Sequence, residues 1–170
     1  SNPFDTFWFN PNPNWGSVNP NVPDNPSLDL DDSAGAGPEN LNLSEPEGTP
    51  SKPKFYSVGV HYWNDHGFGA ANATVRIYVV GQLAASIEDV EMHVLDMWHV
   101  GRINWPNVTS DPASSLPAFT PCFQSGPPCD KVSPGKTWVS QGARCITPCY
   151  VNPAFTATQS GASVSACKQY

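Results

Sequence analysis

Proline is what most limits the folds open to this chain. Nineteen of 170 residues are Pro, and Asn-Pro recurs through the opening run SNPFDTFWFNPNPNWGSVNPNVPDNPS. Each ring fixes φ, removes an amide donor and pushes the residue before it toward extended geometry, so no helix runs through this stretch. The same stretch carries Phe4, Phe7, Trp8, Phe9 and Trp15, too many rings for a solvated linker. The expectation is an ordered loop whose aromatics pack onto a domain, with one short strand from Thr6 to Phe9. With 13 Gly added, turn formers make up 32 residues, while six Trp, eight Phe and five Tyr supply a core that a disordered chain lacks. A turn-rich, folded, mostly β protein follows, of a size for one domain plus an appendage. No apolar run approaches about 18 residues and no charged-apolar-small leader opens the chain, so neither a membrane span nor an intact signal peptide is expected.

Period-two alternation marks the strands. In FYSVGVHYW, Tyr56, Val58, Val60 and Tyr62 share one face; in ATVRIYVVG, Val75, Ile77 and Val79 point inward and Arg76 outward. The run NDHGFGAAN between them reads as a hairpin loop. Leu83–Met92 and Trp98–Trp105 read as a second hairpin, ended by Pro106, and Leu28/Leu30 with Leu41/Leu43 as two short strands about an acidic, glycine-rich turn. Six or so strands at intervals of eight to twelve residues predict an all-β, antiparallel β-sandwich of jelly-roll or immunoglobulin-like type. After Pro106 the periodicity fades. Residues 1–111 are read as the sandwich domain and residues 112–170 as a Cys-rich extension, with short strands at KTWVS and ASVSA, too small to fold without staples.

Charge separates the same two parts. Residues 1–111 hold fourteen acids and four bases, a balance of −10, whereas residues 112–170 hold one acid and four bases, or +3, for a total of −7. An acidic body without a basic stripe repels phosphate backbones, so nucleic acid is excluded as a partner and cations are favoured. All five cysteines, Cys122, Cys129, Cys145, Cys149 and Cys167, fall in the extension. Their spacing fits poorly to paired C-x2-C zinc sites and reads as disulfides, which places the protein outside the cytoplasm, secreted or on the cell surface. The odd count leaves one cysteine free, paired to another chain or paired to an upstream segment, and the connectivity stays open.

The chemical feature that stands out is Asp29, Asp31 and Asp32, followed by Glu39 and Asn40 across a turn with Gly35 and Gly37. In an extended strand Asp29 and Asp31 share a face, and carboxylates that close repel by on the order of 1 kcal/mol or more unless neutralised. Hard oxygen donors in this number suit Ca2+, and the lack of clustered His and Cys argues against Zn or Cu. The alternative is a solvated turn in which Asp caps backbone amides.

The run LDLDDSAGAGPENLNLSEPEG, then FYSVGVHYWNDHGFGAANATVRIYVVG and DMWHVGRINWP, resembles the YfaP-like domain, a bacterial family of secreted or surface-associated β-sandwiches. The likeness spans roughly residues 5–106, with Gly37-Pro38-Glu39-Asn40 its most specific part. It implies a sandwich, an extracytoplasmic home and a non-enzymatic accessory role, and supplies no ligand. Two departures stand out. Related domains begin with a strand of the Asp-Leu-Asp-Leu-His-Leu type that nothing here matches, so an upstream segment or another chain is expected to complete the sheet by strand addition. Relatives also carry a cysteine where Thr6 stands, which would account for the odd thiol.

Other candidates weigh less. His61 and His66 near Asp65, and His93 and His99, read as packed or surface histidines. Glu88, Asp89 and Glu91 could pair for glycoside hydrolysis, but read as a charged sheet edge; no G-x-S-x-G elbow and no phosphate-binding glycine loop is present. The sequons at Asn42, Asn72 and Asn107 read as coincidental in a bacterial-looking domain. Trp15, Trp63, Trp98, Trp105 and Trp138 are mostly core, and two that proved coplanar and exposed would suit a sugar ring. The reading is a non-enzymatic, Ca2+-binding adhesion or assembly module, or alternatively a carbohydrate-binding module accessory to a secreted enzyme, using exposed aromatics on a glycan.

Overall fold

The computed structural model describes residues 3–32, 37–107, 117–122, 145–147 and 150. These residues form eight strands and no helix: β1 Pro26–Leu30, β2 Asn40–Leu43, β3 Lys54–His61, β4 Ala71–Val79, β5 Gln82–Met92, β6 Met97–Trp105, β7 Phe119–Pro121 and β8 Cys145–Thr147. All pairings are antiparallel. The boundary near residue 111 and the strands expected at KTWVS and ASVSA lie outside the described residues, and the Thr6–Phe9 strand is reduced to a single bridge between Phe7 and Asn10. With two prolines following at Pro11 and Pro13, the backbone there has few amides with which to extend a ladder.

Strand faces follow the alternation, but the partners differ from those expected. β4 pairs with β5, not β3, and β6 pairs with β3, not β5. The reason is local. Val80 and Gly81 stand between β4 and β5 with φ of 51° and 71°, the two positive values that a type I′ hairpin turn needs, and Val79 faces Gln82 across it. A β-branched residue is unfavourable in that region, which is why Val80 gave no turn signal. The β5–β6 connection closes on itself instead: the His93 amide donates to Asp96 Oδ2 (2.8 Å) and the Asp96 amide to the His93 carbonyl (2.9 Å). The Leu95 amide then donates to the Tyr62 carbonyl and the Tyr62 amide to the Asp96 carbonyl, carrying the chain onto the end of β3.

β6 is the hub. β3 lies along one side from Lys54↔Trp105 to His61↔Met97; on the other, β7 pairs with Gly101–Ile103 and β8 with Met97–His99. The core joins this sheet to the β4–β5 hairpin: Ile87, Val90 and Met92 of β5 meet Trp98 and Val100 of β6 and Ile146 of β8, flanked by Val58, Val60, Tyr62, Ala73, Val75 and Phe119. Ile87 and Val90 are three apart, an odd spacing for one face. The register slips between Ala73 and Val75, where Asp89 takes a φ of 56°, and that bulge turns both side chains inward. A second slip, between Val58 and Gly59, leaves Val100 as the extra residue beside Gly101.

Two features fasten residues 117–122 and 145–147 to the rest of the fold. Cys122, just after β7, is bonded to Cys145 at the start of β8, and both are buried. Fully buried Asn104 donates from its side-chain amide to the Pro117 carbonyl (2.5 Å) and Thr120 Oγ1 (3.0 Å), while its backbone amide donates to the Ala118 carbonyl (2.9 Å). Cys129, Cys149 and Cys167 lie outside the described residues. Among those residues no helix is long and apolar enough to cross a membrane.

Candidate functional site

The hairpin of β1 and β2 carries the five candidate Ca2+ ligands. Leu28 faces Leu41 and Pro26 faces Leu43, but the register slips at Asp29 and β1 ends at Leu30. Simple alternation therefore does not set Asp29 and Asp31 side by side. Asp29 accepts hydrogen bonds from Ser27 Oγ and from Asn40 Nδ2, the latter at 3.1 Å, and Asp32 accepts the Gly37 amide at 2.7 Å. These are the bonds of an acid-capped turn. Glu39 is exposed as a residue, yet partial burial of its carboxyl pushes its pKa up, and the charges of Asp31 and Asp32 push the same way. Asp31, Asp32 and Glu39 thus share one negative field, while Asp29 and Asn40 hold each other. Among the described residues no three Asp, Glu, His or Cys side chains are gathered as metal ligands. As placed, the five residues do not make a preformed Ca2+ cage.

Another meeting of acids was not legible in the sequence. Asp24 and Glu47 both crowd Gly16: a side chain there would strike Glu47 Oε1 and Asp24 Oδ2. Asp24 Oδ2 accepts the Ser17 amide at 2.8 Å, and Lys54 Nζ stands 3.6 Å from Glu47 Oε2. Tyr56 donates its hydroxyl to the Glu47 carbonyl (2.9 Å), and its ring stacks on Trp15 at 5.4 Å and 10°. Together these contacts fasten the proline-rich loop to β3.

The loop's other aromatics behave differently from expectation. Phe4, Trp8 and Phe9 are 55%, 49% and 65% exposed rather than packed away. Trp8 meets Phe9 edge-on (5.6 Å, 75°) and Trp63 at a tilt (6.2 Å, 60°), while Phe7 and Phe9 stand 6.4 Å apart. Trp63 follows β3, and His61 within β3 sits edge-on between Trp63 (5.8 Å) and Tyr150 (5.3 Å). The result is a ridge of inclined rings where the loop meets the end of β3, with Trp8 and Phe9 its exposed members. Hydrogen bonds hold its base: Asn10 Nδ2 donates to the Pro3 and Asp5 carbonyls and Trp15 Nε1 to the Phe4 carbonyl. Of the tryptophans weighed from sequence, Trp98 is fully buried, Trp15 and Trp105 are half-buried, Trp63 joins the ridge and Trp138 lies outside the described residues.

Among the described residues His61, His93 and His99 stand in packing, ion-pair and hydroxyl contacts. Burial lowers the His61 pKa to about 4, against a hydrogen bond to the Tyr150 backbone that raises it, and its Nε2 is buried with no partner among the described residues. His99, also lowered by burial, faces Thr147 Oγ1 at 3.3 Å. His93 lies 3.6 Å from both Glu91 and Asp96. Glu88, Asp89 and Glu91 are exposed on β5, with Glu88 accepting from Ser86 Oγ (2.9 Å) and near Arg76 (3.5 Å). The chemistry this surface offers is stacking and weak charge, on a frame of antiparallel strands. No family model, curated protein or solved structure matches the chain.

Proposed function

We propose that the protein is a non-enzymatic, extracytoplasmic adhesion module of β-sandwich build that holds glycans on the ring surface formed by Trp8, Phe9 and Trp63. The observation that carries this reading is the exposure of Trp8 and Phe9 on the proline-rich loop, with half-buried Trp63 beside Trp8, since large apolar faces left open to water mark binding surfaces. The Cys122–Cys145 bond is compatible with an oxidising compartment, and the resemblance to the YfaP-like family agrees with an accessory role. Affinity-gel electrophoresis against soluble polysaccharides tests it. Retardation on at least one gel, lost in Trp8→Ala and Phe9→Ala variants with unchanged circular dichroism, is the expected result; no retardation on any gel, or none lost in the variants, overturns it.

A second reading keeps Ca2+ on the β1–β2 hairpin. The shared field of Asp31, Asp32 and Glu39 favours it, because a divalent cation would relieve that repulsion. The residues as placed would have to close up around the ion, Asp29 and Asn40 giving up their mutual bond. Binding to the folded state alone raises Tm with added Ca2+ and lowers it with chelator. A Tm indifferent to both removes this reading. Assembly with another chain would use β3, which forms an edge of its sheet among the described residues.

A further inference from the structure

We infer that the tip of the β4–β5 hairpin is a lipid anchor: Tyr78, Val80 and Leu83 enter the interface of a bilayer with zwitterionic, electrically neutral headgroups. The inference draws nothing from the ring surface and is independent of the glycan reading.

Three apolar side chains meet at this tip and face water. Tyr78 lies opposite Leu83 on the hairpin, and Val80 is the first of the two turn residues. Tyr78, Val80 and Leu83 are 61%, 78% and 55% exposed, whereas Ile77, one position before Tyr78, is buried. The turn itself is kept under strain. Val80 sits at φ 51°, a region that a β-branched residue enters only at a cost and that Asn occupies readily, with Gly81 following at 71°. A side chain this exposed packs little against the fold, so what valine offers over asparagine here is an apolar surface turned outward.

Charge defines how far the apolar zone extends and which lipid it suits. Residues 77–87 contain no Asp, Glu, Lys, Arg or His, in a chain of −7. The run is bounded by Arg76 and Glu88, which approach to 3.5 Å across the hairpin, with Ser86 Oγ donating to Glu88 at 2.9 Å. That polar band suits the headgroup level, the Tyr78 ring the boundary below it, and Val80 and Leu83 the acyl side. An uncharged tip gains nothing from anionic headgroups, and the acidic body is repelled by them.

Size decides between lipid and protein as the occupant. A stable protein interface takes about 800 Å² and 20–30 residues from each side. Three side chains at a two-residue turn, with an ion pair next along the strands, fall well short of that. In a bilayer each inserted side chain is surrounded by lipid and loses its water contact without shape matching, so a few apolar residues give reversible attachment.

The test is co-sedimentation of the full chain with phosphatidylcholine vesicles. The expected result is binding that is indifferent to salt, weakens when phosphatidylglycerol is mixed in, and falls about tenfold in Leu83→Gln and again about tenfold in Val80→Asn. Val80→Asn is expected at the same time to raise Tm by about 2–4 °C as the turn strain is relieved. Stability and lipid binding then move in opposite directions, which damage to the fold cannot produce. In Leu83→Trp, brominated phosphatidylcholine should quench emission beyond the quenching seen in the parent. Failure of the parent to sediment with phosphatidylcholine vesicles overturns the inference, as does equal binding by the parent and both polar variants. Binding that requires phosphatidylglycerol and vanishes with salt overturns it as charge-driven attachment. Self-association in place of vesicle binding, lost in the same variants by sedimentation velocity, assigns the tip to a second copy of the chain and overturns it too.

Discussion

Cys122 and Cys145 are bonded where β7 and β8 meet along β6, their Cα atoms 5.9 Å apart and 23 residues apart in sequence. A cross-link of that span withdraws loop-closure entropy from the unfolded chain, worth about 3 kcal/mol in the chain-entropy account. The double variant Cys122→Ser/Cys145→Ser is expected to lose stability on that scale, with a lower urea midpoint. An unchanged midpoint would show that the bond constrains nothing that unfolding releases.

Asn104 is the polar counterpart of that bond. Its amide holds the Pro117 carbonyl and Thr120 Oγ1 in the interior, and replacing it leaves both without their donor. Asn104→Ala is expected to cost roughly 1–3 kcal/mol. The loss should concentrate on β7: protease cleavage near residue 117 should appear before global unfolding. Cleavage and unfolding that coincide would contradict this.

Gly101 has its backbone against β7. A Cβ there would strike the Thr120 carbonyl and come within 2.5 Å of the Phe119 ring. Phe119 belongs to the core rim, so the clash cannot be absorbed by a free side chain. Gly101→Ala is expected to destabilise by about 1–3 kcal/mol, the usual range for overpacking. Differential scanning calorimetry measures it, and a wild-type Tm would refute it.

Acid should weaken the fold through His61. Its native pKa is near 4 and its ordinary value 6.5, so between those limits the unfolded chain takes a proton that the native state refuses. Stability is therefore full above about pH 6.5 and falls as pH drops toward 4. His99, lowered by burial, adds in the same direction. Asp96 opposes both at the acid end, since burial raises its pKa and the native state takes up its proton first. Urea midpoints across this range should show a shallower slope for His61→Phe than for the parent; equal slopes would clear His61 of the effect.

Strand faces were legible in the sequence because burial on one side writes itself as alternation; Tyr56, Val58 and Val60 on β3 and Val75, Ile77 and Val79 on β4 are the clear cases. Partners were not, because alternation says nothing of who lies alongside. The decisive signals were a turn built on Val80, a residue with no preference for it, and the pairing of β3 with β6 across the intervening hairpin. The acids at 29–40 were visible as a cluster, but whether each one caps an amide or waits for a cation depends on a one-residue register slip at Asp29. The ring surface was half visible. Counting aromatics in the first fifteen residues showed that the loop must be ordered; it did not show that Trp15 would go inward onto Tyr56 while Trp8 and Phe9 stayed outside.

The position of β6 bears on how the protein can be made. One of its long sides is complete only when residues 119–121 and 145–147 have arrived, some forty residues after β6 itself is synthesised. A nascent chain that has emerged only as far as Trp105 can zip β3 onto β6, yet its opposite flank still offers bare amides and carbonyls to whatever strand is nearby. The Cys122–Cys145 bond then ties the two late strands to each other along that flank, so that neither is easily displaced by a competing edge.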